Sequence, residues 1–119
     1  AYHEVGGFLA YASDGNLWPV AEDLFGAAEM DGFYEIDGRA GMDLRRLRAS
    51  FPDLTLMGGG INSQTLHIGS RDEVVAETRS AMEVAKELGS ILVGSSNQIV
   101  AQTPAENIEA MVETIEALR

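Results

Sequence analysis

The chain reads as an α/β protein built from four consecutive βα units around a parallel sheet. Three observations predict this. Four short apolar runs each lead into a turn of small polar residues. Amphipathic helical stretches follow these turns, and strands alternating with helices imply parallel pairing. The runs are nearly continuous rather than alternating, as expected of strands buried on both faces. An open sheet would share the four helices between its faces. A barrel would put them all outside and leave an inner strand face to be covered by other polypeptide or a second copy.

The elements follow in order. Ala1-Tyr2-His3-Glu4-Val5 reads as the tail of a helix closed by Gly6-Gly7, and a chain that opens inside a helix is expected to be the end of a longer protein. The first strand, Phe8 to Ala12, runs into Ser13-Asp14-Gly15-Asn16. Asn16 can cap a helix carrying Leu17, Val20, Leu24, Ala27 and Ala28, with Pro19 inside its first turn. The second strand, Phe33 to Ile36, ends in Asp37-Gly38-Arg39. A short helix then covers roughly Met42 to Ser50, with Asp43 at its start, and stops before Pro52. The third strand, Leu54 to Met57, runs into Gly58-Gly59-Gly60, read as a turn.

Ser70-Arg71-Asp72-Glu73 is a capping box. It opens a helix whose stripe is Val74, Val75, Thr78, Ala81, Met82, Ala85 and Leu88. The fourth strand, Ile91 to Val93, leads to Gly94-Ser95-Ser96-Asn97. Thr103-Pro104-Ala105-Glu106 reads as a second capping box, with Pro104 at the first helical position. The last helix shows Ile108, Met111, Val112, Ile115 and Leu118 on one face. No linker divides the chain, so residues 1–119 form a single domain.

Composition narrows the function. The net charge is −11, from 19 acidic residues against 8 basic, which repels nucleic acid at long range. No apolar run approaches a membrane span and no signal peptide is visible, so no membrane partner is expected. Cysteine is absent. That excludes thiolate chemistry and a disulfide scaffold, and fits a reducing, cytoplasmic setting. Four of the basic residues, Arg39, Arg45, Arg46 and Arg48, fall close together; they could meet an anionic ligand or pair with nearby acids.

Six motifs stand in order along the chain: Ala-Ser-Asp-Gly-Asn at 12–16, Gly-Met-Asp-Leu at 41–44, Gly-Gly-Ile-Asn at 59–62, Gly-Ser-Arg-Asp-Glu-Val at 69–74, Gly-Ser-Ser-Asn at 94–97 and Thr-Pro-Ala-Glu-Asn-Ile at 103–108. In order and spacing they resemble the carboxy-terminal part of the uroporphyrinogen decarboxylase superfamily, which also contains corrinoid-dependent methyltransferases. The resemblance implies a (β/α)8 TIM barrel, of which this chain would form the carboxy-terminal half as four consecutive βα units. It implies decarboxylation of a tetrapyrrole or related small molecule in porphyrin metabolism, with no cofactor. A homodimer would complete the half-barrel, and the isolated chain is expected to be inactive. A corrinoid-dependent methyltransferase-like protein is the alternative within the family. A small flavodoxin-like binding module is the alternative outside it.

Site residues carry over only where positions match. In the zinc-bearing methyltransferase branch, the resemblance implies a His-x-Cys pair in the first loop and a Cys in the last. Ala12, Asp14 and Asn97 stand at those places, so no metal site is expected. The decarboxylase branch carries a His in the last loop where Ser96 or Asn97 falls. The branch's arginines and central aspartate belong to an amino-terminal part not present here.

The expected substrate-binding set is Asp14, Asn16, Asp37, Gly59, Asn62, Ser96 and Asn97; no catalytic residue is assigned. Several have two uses. Asp14 suits either a carboxylate at the mouth or an Asx-turn. Ser96 and Asn97 suit either anion contact or turn capping. The three glycines suit either close ligand approach or a turn with positive φ. Neither Ser95 nor Ser96 lies in a Gly-x-Ser-x-Gly elbow, so a hydrolase triad is not expected. His67 is read as a packing or surface residue.

Overall fold

A computed structural model describes residues 2–119; Ala1, the start of the expected helix tail, lies outside the described residues. Four parallel strands are β1 (Ala10–Ala12), β2 (Gly32–Tyr34), β3 (Thr55–Ile61) and β4 (Ile91–Ser95). They lie side by side in the order β1-β2-β3-β4. A doubly wound sheet reverses its strand order at a switch point. Strict sequential order is that of a barrel wall, which speaks against the flavodoxin-like alternative. Among the described residues no helix is long and apolar enough to cross a membrane.

The register separates the two faces of the sheet. Tyr11, Phe33, Leu56 and Ile91 form one cross-strand row. It packs against the helices, and Phe33 and Leu56 are wholly buried there. The next row is Ala12, Tyr34, Met57 and Leu92. It lies on the opposite face, where Tyr34 keeps 41 % and Leu92 62 % of their surface exposed. A groove of about 440 Å³ runs over this face, bordered by Gln98 and Ile99 of the loop after β4. The described elements bury one face and leave the other open, which is what four barrel-type βα units with all their helices outside imply.

Two apolar clusters hold the helices to the wall. The first gathers Phe25, Phe33, Ile36, Met42, Leu47 and Leu56. Phe25 stacks 4.8 Å from Phe33 and 5.3 Å from Phe51 between ring centroids. The second gathers Ile61, Leu66, Val74, Ala81, Ala110 and Met111. The helices are α1 (Leu44–Ser50), α2 (Ser63–Ile68), α3 (Arg71–Leu88) and α4 (Ala105–Leu118).

Several elements differ from the sequence reading. The expected tail helix is a single 3-10 turn, His3–Val5, closed by Gly6 at φ 74°. The first long helix is instead a 3-10 turn, Trp18–Val20, followed by a π-helix, Glu22–Ala27. Its wide turn seats Phe25 between Phe33 and Phe51. Met42 precedes α1; it is buried, and its sulfur accepts from the Leu17 N–H at 3.3 Å. Asp43 is the cap, accepting from the Arg46 N–H.

The glycine run is strand rather than turn. β3 continues to Ile61, with an irregularity in pairing between Met57 and Gly59. α2 was not anticipated. The Thr103 hydroxyl does not cap α4; it donates to the Val100 carbonyl at 2.8 Å, and Pro104 stands at the N-cap.

The other capping box is present as read. Ser70 Oγ accepts from the Glu73 N–H, and Glu73 Oε2 accepts from the Ser70 N–H at 2.7 Å. Two orphan donors at the start of α3 are thereby satisfied. Replacing Ser70 by Ala is expected to cost about 1 kcal/mol in urea unfolding. The Ser70 backbone and hydroxyl, with the nearby Arg39 charge, hold the Glu73 carboxyl below its ordinary value. That stabilisation is complete above the unfolded-state pKa and is lost as pH falls through the lower folded-state value.

Candidate functional site

The carboxyl ends of the strands carry a polar cavity of about 200 Å³. Each βα loop contributes to it. Asp14 comes from the loop after β1, Asp37 and Arg39 from the loop after β2, Asn62, Ser63 and Gln64 from the end of β3 and the start of α2, and Ser96 and Asn97 from the loop after β4. A neighbouring cavity of about 220 Å³ shares Arg39, Asn62 and Ser96 and adds Ile36, Gly60 and Glu77.

Local structure places each group. Asp37 Oδ1 accepts from the Arg39 and Ala40 N–H groups at 3.0 and 3.3 Å, capping the 3-10 turn Gly38–Ala40. That turn aims Arg39 across to α2, where its guanidinium donates to Gln64 Oε1 at 2.7 Å and Thr65 Oγ1 at 2.8 Å. Thr65 in turn donates to Glu77 Oε1 at 2.8 Å, and the Asn62 N–H donates to Glu77 Oε2 at 2.9 Å. Asn62 caps α2 by accepting from the Gln64 N–H. Ser96, buried, accepts from the Ser63 N–H at 3.2 Å, and its own N–H donates to the Ile61 carbonyl at 2.7 Å. Asn97 Nδ2 donates to Asp14 Oδ2 at 2.9 Å.

The structure therefore brings Asp14, Asp37, Asn62, Ser96 and Asn97 together, and leaves two expected residues out. Asn16 Oδ1 accepts from the Trp18 N–H at 3.0 Å, so it starts the helical stretch as read but does not line the cavity. Gly59 is buried against α1, where an added Cβ would lie 2.6 Å from Leu44 Cδ2. Its lack of a side chain serves helix packing rather than ligand approach.

The two cavities also hold residues the sequence reading did not assign to them, Glu77 in the second and Ser63 and Gln64 in the first. Glu77 lies in the interior of α3, where nothing in the local pattern marks it; it reaches the site only because α3 packs on β3. Ser63 and Gln64 were missed together with α2. Arg39 belonged to the arginine cluster, whose members are used in four separate ways. Arg39 bonds α2. Arg45 pairs with Glu87 at 2.6 and 2.7 Å, raising its own pKa and lowering that of Glu87. Arg46 lies 3.7 Å over the Trp18 ring. Arg48 bonds backbone carbonyls. The cluster is thus no anion patch, and of its members only Arg39 lines the polar cavity at the mouth.

The hydrogen-bonded partners of Arg39 are neutral, so its charge can also meet an anionic group of a ligand. The Asp14 carboxylate offers an acceptor across the same cavity. Neither histidine lines it: His3 bonds Asp31 at 2.9 Å, and His67 meets Thr103 Oγ1 at 3.3 Å.

The donor set does not fit zinc. Ala12 has no ligating atom, Asp14 Oδ2 faces an amide N–H, and Asn97 Oδ1 accepts from the Gln98 N–H at 2.6 Å. No group of three His, Cys, Asp or Glu able to hold a metal ion occurs among the described residues. A tetrahedral site needs about four donors.

Comparison with known proteins matches residues 14–118 to the family model for uroporphyrinogen decarboxylase. A solved methyltransferase from Methanosarcina mazei superposes with a TM-score of 0.76 at 22 % identity. The match covers 98 % of this chain and 33 % of that one, so the chain spans about a third of that protein's length. No curated protein matches the chain.

Proposed function

Because the chain belongs to the uroporphyrinogen decarboxylase family, we propose that its cavity forms part of the substrate pocket of a decarboxylase acting on a tetrapyrrole or related molecule, without metal or cofactor. One observation carries this reading: Asp14, Asp37, Arg39, Asn62, Ser96 and Asn97, from four successive βα units, meet in one polar cavity at the carboxyl edge of a parallel sheet. That edge is where barrel enzymes place their chemistry.

In this reading Arg39 holds a carboxylate substituent of the substrate. The pyrrole ring is protonated and becomes the electron sink. The C–C bond to the departing carboxylate breaks, its electron pair neutralises the ring and carbon dioxide leaves. The vacated carbon then takes a proton from solvent and the ring gives up the one it had gained, so that one proton in all replaces the carboxylate. Asp14 offers the negative charge that stabilises the protonated ring before cleavage.

These residues make only part of a pocket. A second copy, placing its β1 beside β4 and its β4 beside β1, would give eight parallel strands and cover Tyr34 and Leu92. The test is decarboxylation of a porphyrinogen by chain of defined oligomeric state, set by light scattering. Turnover is expected from a closed assembly and none from the monomer; efficient monomer turnover would overturn the reading. Arg39→Gln is expected to weaken porphyrinogen binding about tenfold, as loss of a charged hydrogen bond does.

A second reading, methyl transfer with a separate corrinoid protein, lies within the same family and shares the fold of the M. mazei methyltransferase. Methyl transfer to free corrinoid that rises on adding Zn²⁺ would favour it.

A further inference from the structure

We propose that the Asp14–Asn97 hydrogen bond is a tether that draws the loops of the two outer strands together across the mouth, and that it organises this edge where zinc-bearing relatives use a metal. β1 and β4 are separated by β2 and β3, three inter-strand steps or about 14 Å. Yet side chains 83 residues apart in sequence meet at 2.9 Å. Among the described residues no other hydrogen bond joins these two loops.

Asn97 is held in place for this contact. Its Oδ1 accepts from the Gln98 N–H at 2.6 Å, and its carbonyl accepts from Ser95 Oγ at 2.8 Å. The side-chain N–H₂ is left to face Asp14. Amide hydrogens aimed at Asp14 Oδ2 complement it and leave no room for a metal ion between the two side chains. With Ala12 contributing nothing, replacement of the ligand types is not degeneration of the edge. It is a different way of closing it, in which a charge-assisted hydrogen bond spans the gap.

The test uses the whole chain and no substrate, so its outcome is independent of the decarboxylase reading. Urea unfolding of wild type, D14A, N97A and the double variant forms a cycle that isolates the pair. We expect non-additivity of about fivefold in the unfolding equilibrium, the size of one hydrogen bond to a charged group near the surface. Asn97→Asp supplies a readout that lost packing would not give. At pH 7 two facing carboxylates repel, making N97D less stable than N97A. As pH falls into the ordinary carboxylate range a shared proton restores the bond, and N97D overtakes N97A. Titration with Zn²⁺ is expected to show no saturable binding to wild type in the micromolar range. Additive single variants, an N97D–N97A difference that ignores pH, or stoichiometric micromolar Zn²⁺ binding would each overturn the proposal.

Discussion

Replacing Gly60 by alanine will destabilise the chain by about 3–5 kcal/mol, the combined scale of backbone strain and overpacking. Gly60 has φ 110°, a region that residues with a side chain rarely adopt. A Cβ there would lie 2.2 Å from Ala81 Cβ and 3.3 Å from its Cα. The obstacle is the body of α3 and not a flexible tip, so relief requires moving the helix off the sheet. β3 and α3 frame the cavity through Asn62 and Glu77, and the variant should lose order there as well. Urea denaturation measures the loss. Gly38→Ala is the control: an added Cβ meets nothing within 4 Å, and its effect should stay within about 0.5 kcal/mol. A Gly60→Ala cost as small as that would mean that α3 does not pack on β3 as described.

Arg48→Met is expected to cost about 3 kcal/mol, the scale of losing hydrogen bonds to a charged donor. The guanidinium closes the amino-terminal edge of the sheet. One nitrogen donates to the Pro52 and Leu54 carbonyls at 2.7 and 2.8 Å, the other to Gly89 and Ser90 at 2.9 and 3.0 Å. It thereby joins the turn entering β3 to the turn entering β4. The second turn holds Gly89 at φ 68° and Ser90 at φ 52°, and the guanidinium adds to the backbone bonds already there, from the Gly89 N–H to the Ala85 carbonyl and from the Leu56 N–H to the Ser90 carbonyl. A planar group with five fixed donors can serve four carbonyls at once. Lysine cannot reproduce that fork, so Arg48→Lys should recover less than half of the loss in the same urea experiment. Methionine keeps the stem's packing, which leaves the guanidinium as the difference.

Local chemistry determined much of this protein. Ser70 and Glu73 announced the start of α3 because a capping box involves only neighbours in sequence. The apolar stripe of α3, the four strand sites and the six ordered motifs were legible for the same reason; α4 instead buries Asn107, Ala110, Met111 and Thr114, and Val112 of its expected stripe is 44 % exposed. Asp14, Asp37, Asn62, Ser96 and Asn97 could be placed at one edge because a strand's end fixes where its loop begins.

Only the tertiary structure decided the rest. Gly58, Gly59 and Gly60 suit a turn by composition, but β3 runs through Gly59 and Gly60 because α1 and α3 press on it too closely for side chains there. Thr103 and Pro104 have the form of a cap, yet the hydroxyl finds a better acceptor in Val100. Glu77 joins the site from a helix interior, and the four arginines between positions 39 and 48 part to four unlike partners. For the glycines, Glu77 and the arginines the deciding partner lies elsewhere in the fold, and the energy of meeting it exceeds the preference that a short segment carries by itself; for Thr103 it is a carbonyl three residues away that competes with the cap.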